Sequence, residues 1–157
     1  MSKFVSSLVS LGKKSGCKAV DVFLSLHGSS TGLFFAGNKS EYGISPEKLK
    51  DKIIASGAKN MRALYSTLCY GADHAPSFID AVFKVASCAI KTNANVATEY
   101  PFFVGKWILG WTYKDALAPE NDVFDQAQDA LAKTMGFPDA DSTKKIFGNG
   151  KLKITSA

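Results

Sequence analysis

Short apolar runs rich in β-branched and aromatic residues alternate with helix-forming segments in this chain, and this alternation most constrains its fold. The apolar runs lie at 19–26, 61–68 and 82–90, and each carries a single charged residue. Such runs are typical of strands that are covered on both faces. Strands separated by helices pair in parallel through right-handed crossovers. The sequence therefore predicts an α/β fold, a three-layer α/β/α sandwich with a small, mainly parallel sheet.

The helix signals are clearest at 46–56. Ser45 suits the capping position, Pro46 suits the first helical position, and Gly57 follows the last turn. A periodic apolar face predicts another helix at 3–11. The remaining segments that fit helices are 75–81, 99–109, 112–118 and 123–135, and residues 151–155 fit a final short strand.

The size of the chain indicates one domain over residues 1–157. With 157 residues and a hydrophobic fraction of 46%, a single core is large enough to be stable without disulfides or metals. No apolar run approaches the roughly 18 residues of a membrane span. The N-terminal segment interrupts its apolar patch with serines and has no clear cleavage site. We therefore expect neither a membrane partner nor a signal peptide.

The net charge of +5 raises the question of a nucleic-acid surface. Arginine makes bidentate contacts with phosphate and guanine, and Arg62 is the only arginine of the chain. The lysines are scattered in runs of at most two, so we expect a solvated basic surface and no nucleic-acid partner. Three cysteines cannot all pair, which favours a reducing, cytoplasmic compartment.

Two reactive side chains follow two of the predicted strands. His27 ends the first strand, and Cys69 ends the second. Ligands of open α/β sheets bind outside the carboxyl ends of the strands, and neighbouring strands lie about 4.8 Å apart. We therefore expect both side chains in one crevice, where the imidazole takes the thiol proton and later protonates the leaving group. Gly28 leaves space for a substrate carbonyl, and the amides of Gly28 and Cys69 are candidates for an oxyanion hole.

A strand that ends in His-Gly, followed by a strand that ends in Cys-x-Gly, resembles the caspase-like cysteine peptidases. That grouping includes the legumain, gingipain, clostripain and CHAT-domain branches. The corresponding segments here are FLSLHGSS and ALYSTLCYGAD, and the histidine precedes the cysteine by 42 residues, compared with about 50 in caspases. The resemblance covers about residues 19–118. Leu68 stands where the family has a small residue, and only a helix precedes the histidine strand.

The resemblance implies a cysteine endopeptidase that cleaves peptides or proteins through a dyad of Cys69 and His27, with no cofactor. The histidines and cysteines also lack the spacing of metal ligands, so we expect no metal. The chain is then a minimal version of the fold, a rearranged one, or the catalytic portion of a longer protein. The alternative is a catalytically inactive caspase-like module for binding or scaffolding, which Leu68 and the missing strands favour. Oligomerisation stays open.

The other candidate residues have simpler interpretations. Asp73 is a candidate for binding a basic substrate residue, although capping the helix that follows is the preferred interpretation. We expect His74 to be exposed at a helix start and Cys88 to be a small core residue. An α/β-hydrolase with a cysteine nucleophile is excluded because its base histidine lies well after the nucleophile, whereas only His74 follows Cys69.

Overall fold

A computed structural model describes residues 2–35, 43–95, 99–117 and 123–156. None of the helices in these ranges has the length and apolar character needed to cross a membrane. The elements in chain order are α1 (Ser2–Gly12), β1 (Val20–Leu24), β2 (His27–Ser29), β3 (Gly32–Phe34), β4 (Gly43–Ile44), α2 (Pro46–Ser56), β5 (Met61–Ser66), α3 (Gly71–Ala81), β6 (Val85–Ala89), α4 (Glu99–Ile108), α5 (Tyr113–Leu117), α6 (Val123–Thr134) and β7 (Lys144–Gly148).

The main sheet has four strands in the order β1-β5-β6-β7. β1 pairs with β5 in parallel, and β5 pairs with β6 in parallel. β7 pairs with β6 in the antiparallel direction. The predicted mixed α/β fold with a mainly parallel sheet is therefore confirmed, including the three parallel strands. A second sheet, β2-β3-β4, is antiparallel and was not predicted.

Alternate residues of β5 enter two different cores. Leu64 belongs to a core that also contains Ile53 of α2 and Phe78 of α3. Tyr65 belongs to another core, which contains Phe103 of α4. All six residues of β5 are buried, as expected for a strand with both faces covered. Helices therefore pack on both faces of the main sheet.

The helix signals around α2 act as predicted. The Ser45 hydroxyl accepts a hydrogen bond from the Lys48 amide at 3.4 Å. Gly57 adopts a φ of 67°, and its amide donates to the Ile54 carbonyl, so the last turn ends in the left-handed conformation that glycine tolerates. The helices α1, α4, α5 and α6 agree with the predicted bounds to within one residue, with residue 118 outside the described ranges.

Three local predictions are wrong. The helix expected at 75–81 already begins at Gly71. The first strand ends at Leu24, and His27, which was expected at its end, begins the hairpin of β2 and β3. Residues 151–155 form turns, and the last strand is β7. The backbone of 151–155 has partners other than a strand, since the Leu152 carbonyl accepts from the Tyr113 amide at 2.7 Å.

Candidate functional site

His27 and Cys69 lie beyond the carboxyl ends of two neighbouring parallel strands. Each follows its strand, β1 or β5, after two intervening residues. The Thr67 amide donates to the Leu24 carbonyl at 3.0 Å, which extends the pairing of the strands toward both residues. His27 and Cys69 line the same cavity of about 490 Å³. The imidazole and the thiol thus line one cavity, at the edge where the two parallel strands end.

Gly28 packs directly on the turn that contains Cys69. A Cβ atom at position 28 would lie 2.6 Å from the Cys69 carbonyl oxygen and 3.0 Å from Cδ2 of Leu68. Only glycine fits such an approach without displacing the backbone. Leu68 itself is fully buried in the core, so its size serves packing between the hairpin and the sheet.

The Cys69 turn joins β5 to α3 and is anchored on both sides. Tyr70 has a φ of 56°, in the left-handed region, and its amide donates to the Lys91 carbonyl at 2.7 Å. Its phenol donates to the Asp139 carboxylate, which also accepts from the Thr92 hydroxyl at 3.0 Å. This hydrogen bond with Asp139 raises the pKa of Tyr70, and it lowers the pKa of Asp139. The anchors hold an unfavourable backbone conformation next to the thiol.

The loop after β6 covers the thiol. The Asn93 amide donates to the Cys69 sulfur at 3.4 Å, and its side chain donates to the Thr67 carbonyl at 2.9 Å. The Cys69 amide has no acceptor among the described residues. A backbone donor next to the thiol is therefore available for a ligand.

Ser142 holds this loop against α6. Its hydroxyl accepts from the amides of Ala94 at 2.7 Å and Asn95 at 3.1 Å, and it donates to the Asp129 carboxylate at 2.6 Å. Asp129 lies on α6 and also accepts from the Ser142 amide. The helix that carries one wall of the cavity is thereby tied to the loop that covers the thiol.

Much of the cavity lining is apolar. The apolar lining residues are Ala132 in the last turn of α6, Met135 and Phe137 just beyond that helix, and Leu26 after β1. Met135 is 69% exposed and Phe137 is 52% exposed. No lysine, arginine, aspartate or glutamate is among the described lining residues. The cavity thus combines two reactive side chains with an uncharged, largely apolar surface.

Gly28 and the remaining candidate residues are not among the described residues that line this cavity, and the space beside Gly28 is filled by the Cys69 carbonyl and Leu68. The expectation that Asp73 caps the helix is wrong, because α3 begins at Gly71 and its capping residue is Tyr70. Asp73 is exposed in the first turn of α3 and is not one of the described lining residues. Cys88 is buried in the core, as predicted, and burial raises its pKa to about 12. All three cysteines are free.

The expectation that His74 is exposed is wrong. Its side chain is fully buried, and Nε2 lies 2.7 Å from the Ser29 carbonyl oxygen. A carbonyl oxygen only accepts, so Nε2 carries the hydrogen and donates it. Nδ1 is buried and has no hydrogen-bond partner among the described residues. Burial lowers the pKa of His74. This histidine therefore fastens the hairpin of β2 and β3 to α3.

Sequence reasoning missed Asn93, Met135 and Phe137. For Asn93 a signal existed, because the polar stretch at 93–95 follows the third predicted strand and so belongs at the carboxyl edge of the sheet. Met135 and Phe137 gave no comparable signal, since nothing in their local sequence relates the end of α6 to the thiol.

The described residues contain no group of three histidine, cysteine, aspartate or glutamate side chains that could hold a metal ion. No protein-family model matches the chain, and comparison with curated proteins finds no match. The resemblance to caspase-like peptidases therefore rests on the segments around His27 and Cys69 and on their order along the chain.

Proposed function

We propose that this protein is a cysteine peptidase with a caspase-like fold, which cleaves peptide bonds through Cys69 and His27. The observation that carries the proposal is the position of the two side chains, beyond adjacent parallel strands and on one cavity. A thiol and an imidazole that share a cavity are the minimal set for acyl transfer.

In the proposed mechanism, the Cys69 sulfur attacks the scissile carbonyl carbon while His27 accepts the thiol proton. The carbonyl oxygen becomes an oxyanion, which the Cys69 amide and the Gly28 amide stabilise by hydrogen bonds. The C–N bond then breaks, and His27 returns the proton to the leaving amine. A water molecule, deprotonated by His27, hydrolyses the thioester and releases the acid product.

The position of Cys69 before a helix favours negative charge on the attacked carbonyl oxygen. Cys69 lies two residues before the 11-residue helix α3, whose first amides point toward the turn. The N-terminal end of a helix favours negative charge. The free Cys69 amide adds a donor at the same place, so the turn suits an oxyanion better than a neutral group.

The second candidate function is an inactive binding or scaffolding module, and one observation favours it. The side chains of His27 and Cys69 make no hydrogen bond to each other in the described structure, and the sulfur accepts from the Asn93 amide instead. Catalytic contacts in ligand-free enzymes are often loose and tighten when substrate binds. Activity, not the resting contact, therefore decides between the two functions.

The test is a peptide-library digest with the parent protein, Cys69→Ala and His27→Ala. We expect each substitution to lower the rate by several powers of ten, because neither group works without the other. Cys17→Ala is the matched control, since Cys17 is a free, half-buried thiol outside the cavity. If the parent cleaves nothing and Cys69 does not react with an electrophilic peptide probe, the inactive module is the correct function. Equal cleavage by all variants would place the activity elsewhere.

A further inference from the structure

We infer that the cavity beside Cys69 binds a large apolar side chain, on the substrate residue that supplies the attacked carbonyl. The inference rests on the proposed peptidase function and adds its substrate class. The sequence had left a basic substrate residue open, with Asp73 as its partner.

The first argument is charge. None of the described cavity-lining residues is an aspartate, glutamate, lysine or arginine. Asp73 lies on α3, which contributes no described residue to the lining. A charged substrate side chain would lose its hydration in this cavity and find no opposite charge in return. An uncharged side chain has no such cost.

The second argument is the commitment of the polar lining groups. The Thr67 hydroxyl donates to the Ser25 hydroxyl at 3.3 Å, and the Thr92 hydroxyl donates to Asp139. The Asn93 side chain donates to the Thr67 carbonyl. The side chains of Thr67, Thr92 and Asn93 thus already have hydrogen-bond partners within the protein. They leave shape and apolar contact as the main means of selecting a substrate side chain.

The third argument is the exposed apolar wall. Met135 and Phe137 stand largely exposed beside the reactive pair, and a substrate side chain between them and Leu26 would remove this surface from water. The volume of about 490 Å³ lies within the roughly 300–1,000 Å³ of small-ligand pockets. The Met135 side chain is flexible and can adapt to different partners, so we expect the cavity to accept both Phe and Leu side chains.

The test measures binding apart from cleavage. Fluorescein-labelled hexapeptides that differ only in one central residue, Phe, Leu, Lys or Asp, are titrated into the Cys69→Ala protein, and anisotropy reports the dissociation constants. We expect the Phe and Leu peptides to bind at least about 10-fold more tightly than the Lys and Asp peptides, the lower end of what a pocket gains from a single methylene. Equal binding of all four, tighter binding of Lys or Asp, or no binding would overturn the inference.

Variants locate the binding site. Phe137→Ala and Met135→Ala, each added to Cys69→Ala, should weaken binding of the Phe peptide about 10-fold. Leu131→Ala is the matched control, because Leu131 lies in the last turn of α6, just before Met135, is 61% exposed, and is not among the described lining residues. Equal loss in the control would place binding on the outer face of α6 and overturn the inference.

The same four peptides are also incubated with the parent protein, so that the two proposals fail separately. Selective binding of the apolar peptides without any cleavage supports the apolar cavity and contradicts the peptidase. Cleavage next to Lys or Asp in preference to Phe and Leu supports the peptidase and contradicts the apolar cavity.

Discussion

Gly28 lies so close to Cys69 that no side chain fits between them. The approach joins the hairpin that begins at His27 to the turn that holds the thiol, and a Cβ atom would come within 2.6 Å of the Cys69 carbonyl oxygen. The two halves of the proposed dyad are therefore set relative to each other by backbone contact as well as by strand pairing.

Gly28→Ala should destabilise the protein by about 1 to 3 kcal/mol, because the added methyl group has to displace backbone. Gly32→Ala is the control in the same hairpin, since a Cβ there would lie 3.5 Å from the Ile44 carbonyl oxygen, an ordinary contact. Urea unfolding of Gly28→Ala and Gly32→Ala measures the two free energies of unfolding. Equal free energies of unfolding for the two variants would show that the contact is not tight in solution.

Ser142→Ala should loosen the loop that covers the thiol. It removes the acceptor of the half-buried Ala94 amide, whereas the Asn95 amide also donates to the Asn93 side-chain oxygen. A donor that loses its partner inside the protein costs about 1 to 3 kcal/mol. We expect faster hydrogen exchange at the Ala94 amide and a lower free energy of unfolding. Ser6→Ala, which removes an exposed hydroxyl that donates only to the Lys3 carbonyl, should leave both unchanged. Unaltered exchange in Ser142→Ala would contradict the proposed tie.

His74 should make the stability depend on pH. Burial lowers its pKa in the folded protein, while the hydrogen bond to Ser29 and the carboxylates of Asp73 and Glu47 act in the opposite direction. Below the ordinary pKa of 6.5 the unfolded chain therefore takes up the proton more readily than the folded protein. Stability is consequently lost as pH falls through this value and regained as pH rises above it.

The variant His74→Gln checks this expectation. Glutamine supplies an N–H donor for the Ser29 carbonyl but does not titrate. The free energies of unfolding of parent and variant, measured from about pH 5 to about pH 8, should converge toward the acidic end or cross, as only the parent loses the His74 contribution. A constant difference over that range would mean that His74 does not titrate differently in the folded and unfolded states.

Arg62 binds the Asp21 carboxylate through two hydrogen bonds, of 2.8 Å and 2.7 Å, and also donates to the carbonyls of Ile154 and Ser156. Arg62→Met should cost about 3 to 5 kcal/mol, because it leaves a largely buried carboxylate without its charge partner. Combining it with Asp21→Asn should recover part of that loss. A double variant as unstable as the sum of the single ones would show that the pair is not coupled.

The same substitution should release the C-terminal segment. Arg62→Met removes the donor that holds the carbonyls of Ile154 and Ser156, so a protease that cleaves after lysine should act faster at Lys153. The control is Lys145→Met, which changes an exposed lysine and should leave cleavage at Lys153 unchanged. Unchanged cleavage at Lys153 would contradict the anchoring role of Arg62.

The elements that the sequence predicts well are those with complete local signals. The helix α2 has a cap, an initial proline and a final glycine in sequence, and each acts without help from distant residues. β5 and β6 are predicted because all their residues are buried between the two faces of the sheet. β1 is predicted from the same apolar composition, although it is an edge strand whose Phe23 is 39% exposed. His27 and Cys69 are predicted to share a cavity because parallel strands bring their carboxyl ends to one edge of the sheet.

The missed elements depend on distant partners. β7 begins with Lys144 and Lys145, which argues against a strand, yet Lys144 is buried because its ammonium group lies 3.2 Å from the Glu99 carboxylate. His74 is buried because the Ser29 carbonyl receives its hydrogen. The strands β2 and β3 have three residues each, too few for an alternating pattern to stand out. Contacts between residues distant in sequence therefore decide the burial of Lys144 and His74, and the local sequence does not show these contacts.

The cavity is assembled from parts of the chain that a ribosome makes at different times. His27 and Cys69 emerge first, whereas Met135 and Phe137 lie just beyond the end of α6. At about 5–20 residues per second, several seconds of synthesis separate the thiol from the apolar residues that line its cavity. A nascent chain thus carries its reactive groups before it has a surface to hold a substrate against them. The proposed substrate recognition therefore forms after the proposed dyad during synthesis.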